Sequence, residues 1–89
     1  MKHLNIRVKG RVQGVGFRYS SLQAARSYGI NGFVRNEPDG SVYMEAEAEQ
    51  ISLDLFVDWC RRGPGHARID CVIQTESGLR GFKEFRILH

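Results

Sequence analysis

The sequence predicts an α+β domain of order β-α-β-β-α-β with a short last strand, the ferredoxin-like split βαβ plan. Three observations predict it. The apolar pattern switches between period 2 and period 3.6 several times along the chain, glycine- or proline-bearing segments fall at the switches, and 89 residues suffice for one modest core. The expected sheet is antiparallel or mixed, with two helices on one face, in a single domain over residues 1–89.

Residues 4–10 alternate, with Leu4, Ile6 and Val8 on one side and Asn5, Arg7 and Lys9 on the other, which is a strand with one buried face. Three glycines between positions 10 and 16 make the next segment a loop. Residues 17–28 are good helix formers, Leu22 and Ala25 share a side, and Gly29 is a C-terminal stop. Residues 31–36 read as a second strand. Glu37-Pro38-Asp39-Gly40 is a turn, because proline pre-sets its own φ and glycine tolerates positive φ. Residues 41–48 alternate again, with Val42, Met44, Ala46 and Ala48 opposite Tyr43, Glu45 and Glu47, so the two strands form a hairpin. Residues 50–62 carry Ile51, Leu55, Phe56 and Trp59 at helical spacing, which reads as a core stripe, and Gly63-Pro64-Gly65 ends the helix. Residues 68–75 form a strand whose inward face is either Ile69/Cys71/Ile73 or Ile69/Val72. A turn over 77–81 leads to a last strand over 82–88, with Phe85 and Ile87 on one side.

Composition narrows the function classes. No apolar run is long enough to cross a bilayer, and the alternating start lacks the continuous apolar stretch of a signal peptide. Cytoplasm is therefore the expected location. The two cysteines, Cys60 and Cys71, are too few for a disulfide scaffold and are expected to be half-buried thiols. His3, His66 and His89 are scattered, so no zinc site is expected, and all three read as surface imidazoles. Asp39, Glu45, Glu47, Asp54 and Asp58 read as turn and solvent-face acids. A net charge of +3 favours small anions but falls short of the basic stripe of a nucleic-acid binder. Arg80-Gly81-Phe82-Lys83-Glu84-Phe85 faintly echoes an aromatic RNA-binding motif. It lies on the wrong strand, and Lys83 and Glu84 stand where that motif needs other residues, so no nucleic-acid partner is expected.

The segment from Val8 to Arg18 carries the chemistry. It runs from the end of a strand through a glycine-rich loop to the first turn of a helix. Successive main-chain N–H groups in such a loop converge on an anion, and the helix N-terminus adds donors and partial positive charge. Gly14 and Gly16 allow close approach of the backbone, and the planar fork of Arg18 can hold two phosphate oxygens. The loop lacks the Lys-Ser/Thr pair of a nucleotide-binding P-loop.

The full string resembles the first signature of the acylphosphatase family, an aliphatic residue followed by x-G-x-V-Q-G-V-x-F-R, and matches it at Val8, Gly10, Val12, Gln13, Gly14, Val15, Phe17 and Arg18. The second signature follows as Gly32-Phe33-Val34-Arg35-Asn36, Gly40 and Val42, with Ala48 where the family usually has glycine. Trp59 to Pro64 is also family-like, and the resemblance spans almost the whole chain. It implies hydrolysis of a small-molecule acyl phosphate to a carboxylate and inorganic phosphate, by a monomer needing no cofactor or metal, with phosphate as an inhibitor. It implies Arg18 and Asn36 as catalytic residues, and the backbone of Gln13, Gly14, Val15, Gly16 and Phe17 as the phosphate loop. Related domains also occur inside larger carbamoyltransferases of hydrogenase maturation. The end of this chain at His89 favours a free enzyme over such a domain.

Overall fold

The computed structural model describes residues 1–89. Seven elements follow one another: β1 (Lys2–Arg11), α1 (Phe17–Tyr28), β2 (Asn31–Asn36), β3 (Val42–Ala48), α2 (Gln50–Arg62), β4 (Arg68–Ser77) and β5 (Phe85–Ile87). They form one five-stranded sheet of order β4-β1-β3-β2-β5, in which β5 runs parallel to β2 and the other neighbours are antiparallel. This is the expected plan. The strands over 4–10 and 68–75 prove longer, since β1 and β4 pair from His3 opposite Ser77 to Arg11 opposite Arg68 and ladder bonds carry them past their apolar residues. The last strand is shorter, only three residues, because the segment before it leaves the sheet edge.

The core lies between the sheet and the two helices. Leu4, Ile6 and Val8 of β1 stand opposite Ala46, Met44 and Val42 of β3, and all six are buried. From above, α1 buries Phe17, Ser21, Ala24 and Ala25, and the Ser21 hydroxyl is satisfied by donating to the Arg18 carbonyl at 2.7 Å. The buried stripe of α2 is Leu53, Phe56, Val57 and Cys60. That corrects the expected stripe. Ile51 and Leu55 are 73% and 48% exposed, because they lie a turn apart on a neighbouring face that points away from the sheet. Phe56 and Trp59 do pack as expected, 6.1 Å apart, and Trp59 meets Phe17 at 5.5 Å to join the two helices. Ala48, at the unusual position for the family, ends β3 opposite Lys2 and is buried; no non-glycine residue has positive φ.

A bulge settles the face of β4. Lys9 pairs with Cys71 but Gly10 pairs with Ile69, so one residue of β4 is skipped and the alternation shifts there. Ile69 and Val72 therefore both pack against the core, while Cys71 and Ile73 are exposed. The two thiols are thus not alike. Cys60 is fully buried, and burial pushes its pKa up; Cys71 faces outward.

The back of the sheet differs most from expectation. His3, Glu45 and Glu47 are buried rather than on the surface. The segment 78–84 crosses this face and hides them. Main-chain N–H groups of Arg80, Gly81 and Phe82 donate to the Glu47 carboxylate at 2.5, 3.1 and 3.0 Å. The two ring nitrogens of His3 face Glu47 at 2.7 Å and Glu45 at 3.0 Å. The Arg80 guanidinium reaches Glu45 at 3.1 Å, and the Phe82 ring lies 5.7 Å from His3 and 5.8 Å from Phe33. Burial alone would raise the Glu47 pKa, but hydrogen bonds from Arg80 N–H, His3 and Phe82 N–H hold it down at about 2.

Candidate active site

Register places the sequence-predicted residues at one end of the sheet. Val42 of β3 stands opposite Val8 of β1 on one side and Asn36 of β2 on the other, so these three form a row. The loop leaving β1 and the end of β2 are brought to the same edge by this row. The Gln13 side-chain amide then ties them together, donating to the Glu37 carbonyl at 2.8 Å and the Ser41 carbonyl at 2.9 Å. The hairpin it grips is itself braced. The Asp39 carboxylate accepts from the Ser41 hydroxyl at 2.6 Å and from its N–H at 2.9 Å, and these bonds lower the Asp39 pKa.

Gly14 and Gly16 have φ of 74° and 75°, while no non-glycine residue has positive φ, so the sign of φ alternates along the loop. Such alternation turns successive N–H groups toward a common centre. A Cβ built on either glycine would meet nothing within 4 Å, so glycine is needed there for its backbone angle, and the space beside it is open. Gly16 caps α1 with no side-chain hydrogen bond, and no acidic residue occupies the first turn. The unpaired N–H groups and positive end of the helix are therefore left for a ligand.

Loop, helix start and strand end enclose a cavity of about 210 Å³. Five of the seven predicted site residues line it: Gly14, Gly16, Phe17, Arg18 and Asn36. Gln13 and Val15 do not; Gln13 braces the hairpin and Val15 packs against the core. Four lining residues fall outside the predicted set, namely Val12, Tyr19, Ile87 and His89. Nothing in their local pattern marks the last two. They arrive because β5 lies beside β2, with Ile87 opposite Val34. Tyr19 adjoins Arg18 in sequence but carries no motif signal of its own.

The cavity has no acidic lining residue, and Arg18 makes no ion pair. Its Nη1 donates only long bonds, to the Leu88 carbonyl and to His89 Nδ1, both at 3.4 Å. The guanidinium is thus oriented, yet its charge is not neutralised. Asn36 Oδ1 is buried and receives no hydrogen bond from any protein group. An orphaned buried acceptor costs about 1–3 kcal/mol, and Asn36 is among the residues that line the cavity. No three His, Cys, Asp or Glu side chains are grouped to hold a metal ion, and no helix is long and apolar enough to cross a membrane.

Fold and site together define a class: a ferredoxin-like α+β domain with one cationic, main-chain-lined cavity suited to a tetrahedral oxyanion. Comparison with known proteins makes this specific. The family model described as Acylphosphatase matches residues 4–87. The chain is 44% identical to an acylphosphatase from Methylococcus capsulatus over 89 residues, covering 99% of this chain and 97% of that one. It superposes on the crystal structure of an acylphosphatase from Bacillus subtilis with a TM-score of 0.97 at 37% identity, each chain fully covered. A full-length HypF in its phosphate- and nucleotide-bound form matches with a TM-score of 0.89 at 27% identity, covering 99% of this chain but only 12% of HypF. The chain belongs to the acylphosphatase family, enzymes that hydrolyse acyl phosphates.

Proposed function

We propose that hydrolysis proceeds by direct attack of water at phosphorus, with neither a metal ion nor a covalent intermediate. One observation carries this reading: Arg18, whose guanidinium is free of any ion pair, and Asn36, whose buried Oδ1 has no protein partner, line the same cavity. The phosphoryl group sits in the Gly14–Phe17 cradle with two oxygens on Arg18. Phosphoryl transfer passes through a loose transition state with charge on the equatorial oxygens, and fixed positive potential is what lowers its energy. Asn36 does not titrate, so it acts as a positioner, accepting a hydrogen bond from the attacking water and holding it in line.

The new P–O bond forms to that water as the bond from phosphorus to the acyl oxygen breaks. The electron pair leaves with the carboxylate, and a phosphate oxygen takes the water's proton. A carboxylate, whose conjugate acid has a pKa of about 4–5, departs without protonation, so no general acid is required. The substrate is a small-molecule acyl phosphate, the protein acts as a monomer, and inorganic phosphate competes for the same cradle.

Hydrolysis of benzoyl phosphate in ¹⁸O-labelled water, with and without EDTA, tests the scheme. Label should appear in phosphate and not in benzoate, at an unchanged rate with chelator. Label in benzoate, or activity lost to EDTA, would refute it.

A further inference from the structure

We propose that Tyr19 is the specificity-determining residue for the acyl half of the substrate, a platform that favours aromatic acyl groups. The inference rests on the water-attack reading above. In-line displacement puts the nucleophile and the leaving group on opposite sides of phosphorus. The nucleophile belongs at Asn36, a residue of the cavity wall whose Oδ1 is buried. The departing carboxylate and the group it carries therefore point outward, to the mouth.

Tyr19 stands at that mouth. Its side chain lines the phosphate cavity beside Arg18 and is nevertheless 63% exposed, the only aromatic among the exposed large apolar side chains. Leaving a ring of this size in water forgoes favourable burial, and packing within the fold gives no reason for it. Beyond the mouth, a second depression of about 380 Å³ runs between α1 and α2. Tyr28, Trp59 and Pro64 supply its apolar surface, and Ser20 and Ser27 its hydroxyls. Tyr19 is the one residue common to both spaces. An acyl group leaving the cradle by this route crosses the tyrosine ring first, and a planar aromatic acyl group gains stacking that an acetyl group cannot.

Steady-state kinetics of wild type, Tyr19→Ala and Tyr19→Phe with benzoyl phosphate and acetyl phosphate test this. Because the position is exposed, both variants are expected to fold, which circular dichroism checks. Tyr19→Ala should raise KM for benzoyl phosphate about tenfold while changing acetyl phosphate less than about twofold, and should leave inhibition by inorganic phosphate unchanged. Tyr19→Phe should keep the preference for benzoyl phosphate. Equal losses on the two substrates, or no loss on either, would overturn the assignment. A wild-type enzyme that incorporates ¹⁸O into the carboxylate would instead sink the underlying mechanism, so the two failures are distinguishable.

Discussion

On the back of the sheet the Glu47 carboxylate accepts four hydrogen bonds, three from the main chain of Arg80, Gly81 and Phe82 and one from His3. At the front edge the buried Oδ1 of the half-buried Asn36 accepts none from the protein, and Arg18 keeps an uncompensated charge. Both regions bury polar groups at the periphery of the same core. The back cluster closes its hydrogen-bonding capacity internally, so it holds segment 78–84 against the sheet. The front cavity leaves its capacity open and is sustained by its surroundings: the Gln13 bridge, the Phe17–Trp59 packing and the register row of Val8, Val42 and Asn36. Satisfied polar groups stabilise; unsatisfied ones held in place stay open to a ligand.

Mutation can break this contrast from either side. The largest effect is expected for Arg18→Ala, which should lower kcat/KM by about 3–4 kcal/mol in transition-state terms and weaken phosphate inhibition, with the melting temperature nearly unchanged. Turnover close to wild type would remove Arg18 from the mechanism.

Glu47→Gln should do the reverse. It loses the charge that faces three N–H groups and turns an amide donor toward them, so unfolding in urea should show a loss of about 3 kcal/mol, while kcat of the folded enzyme stays close to wild type. The same group sets an acid limit. Its pKa is about 2 in the fold against an ordinary value of 4.5, so its contribution is complete above pH 4.5 and disappears as pH falls through about 2. Wild-type stability should therefore decline across that window, and the Gln variant should show a shallower decline. Parallel curves would mean that Glu47 is not the group responsible.

Asn36→Ala removes an acceptor that no protein donor uses. It should reduce kcat about a hundredfold with little change in KM, and stability should hold or rise slightly. A matching rise in KM would make Asn36 a substrate-binding residue instead. The smallest effect is expected at the brace. Gln13→Ala frees the Glu37 and Ser41 carbonyls, and should cost about 1–2 kcal/mol of stability and raise KM a few-fold by loosening the loop. If KM stays fixed, the loop does not depend on that bridge for its shape.

Much of this molecule is written in local pattern. Alternation and helical spacing located the strands and helices, and the loop from Val8 to Arg18 carries the pattern of an anion cradle in its own residues, since φ-permissive glycines and a following helix are properties of adjacent residues. Tertiary structure alone decided which residues would be covered. His3, Glu45 and Glu47 sit at polar positions of alternating strands, and only a segment more than thirty residues later turns them from surface to interior. Likewise the bulge at Gly10 chose the inward face of β4, rotation of α2 excluded Ile51 and Leu55, and the pairing of β5 with β2 delivered Ile87 and His89 to the cavity wall. The physical reason is the same in each case. Backbone geometry repeats with the neighbours along the chain, whereas burial depends on what distant segments happen to cross.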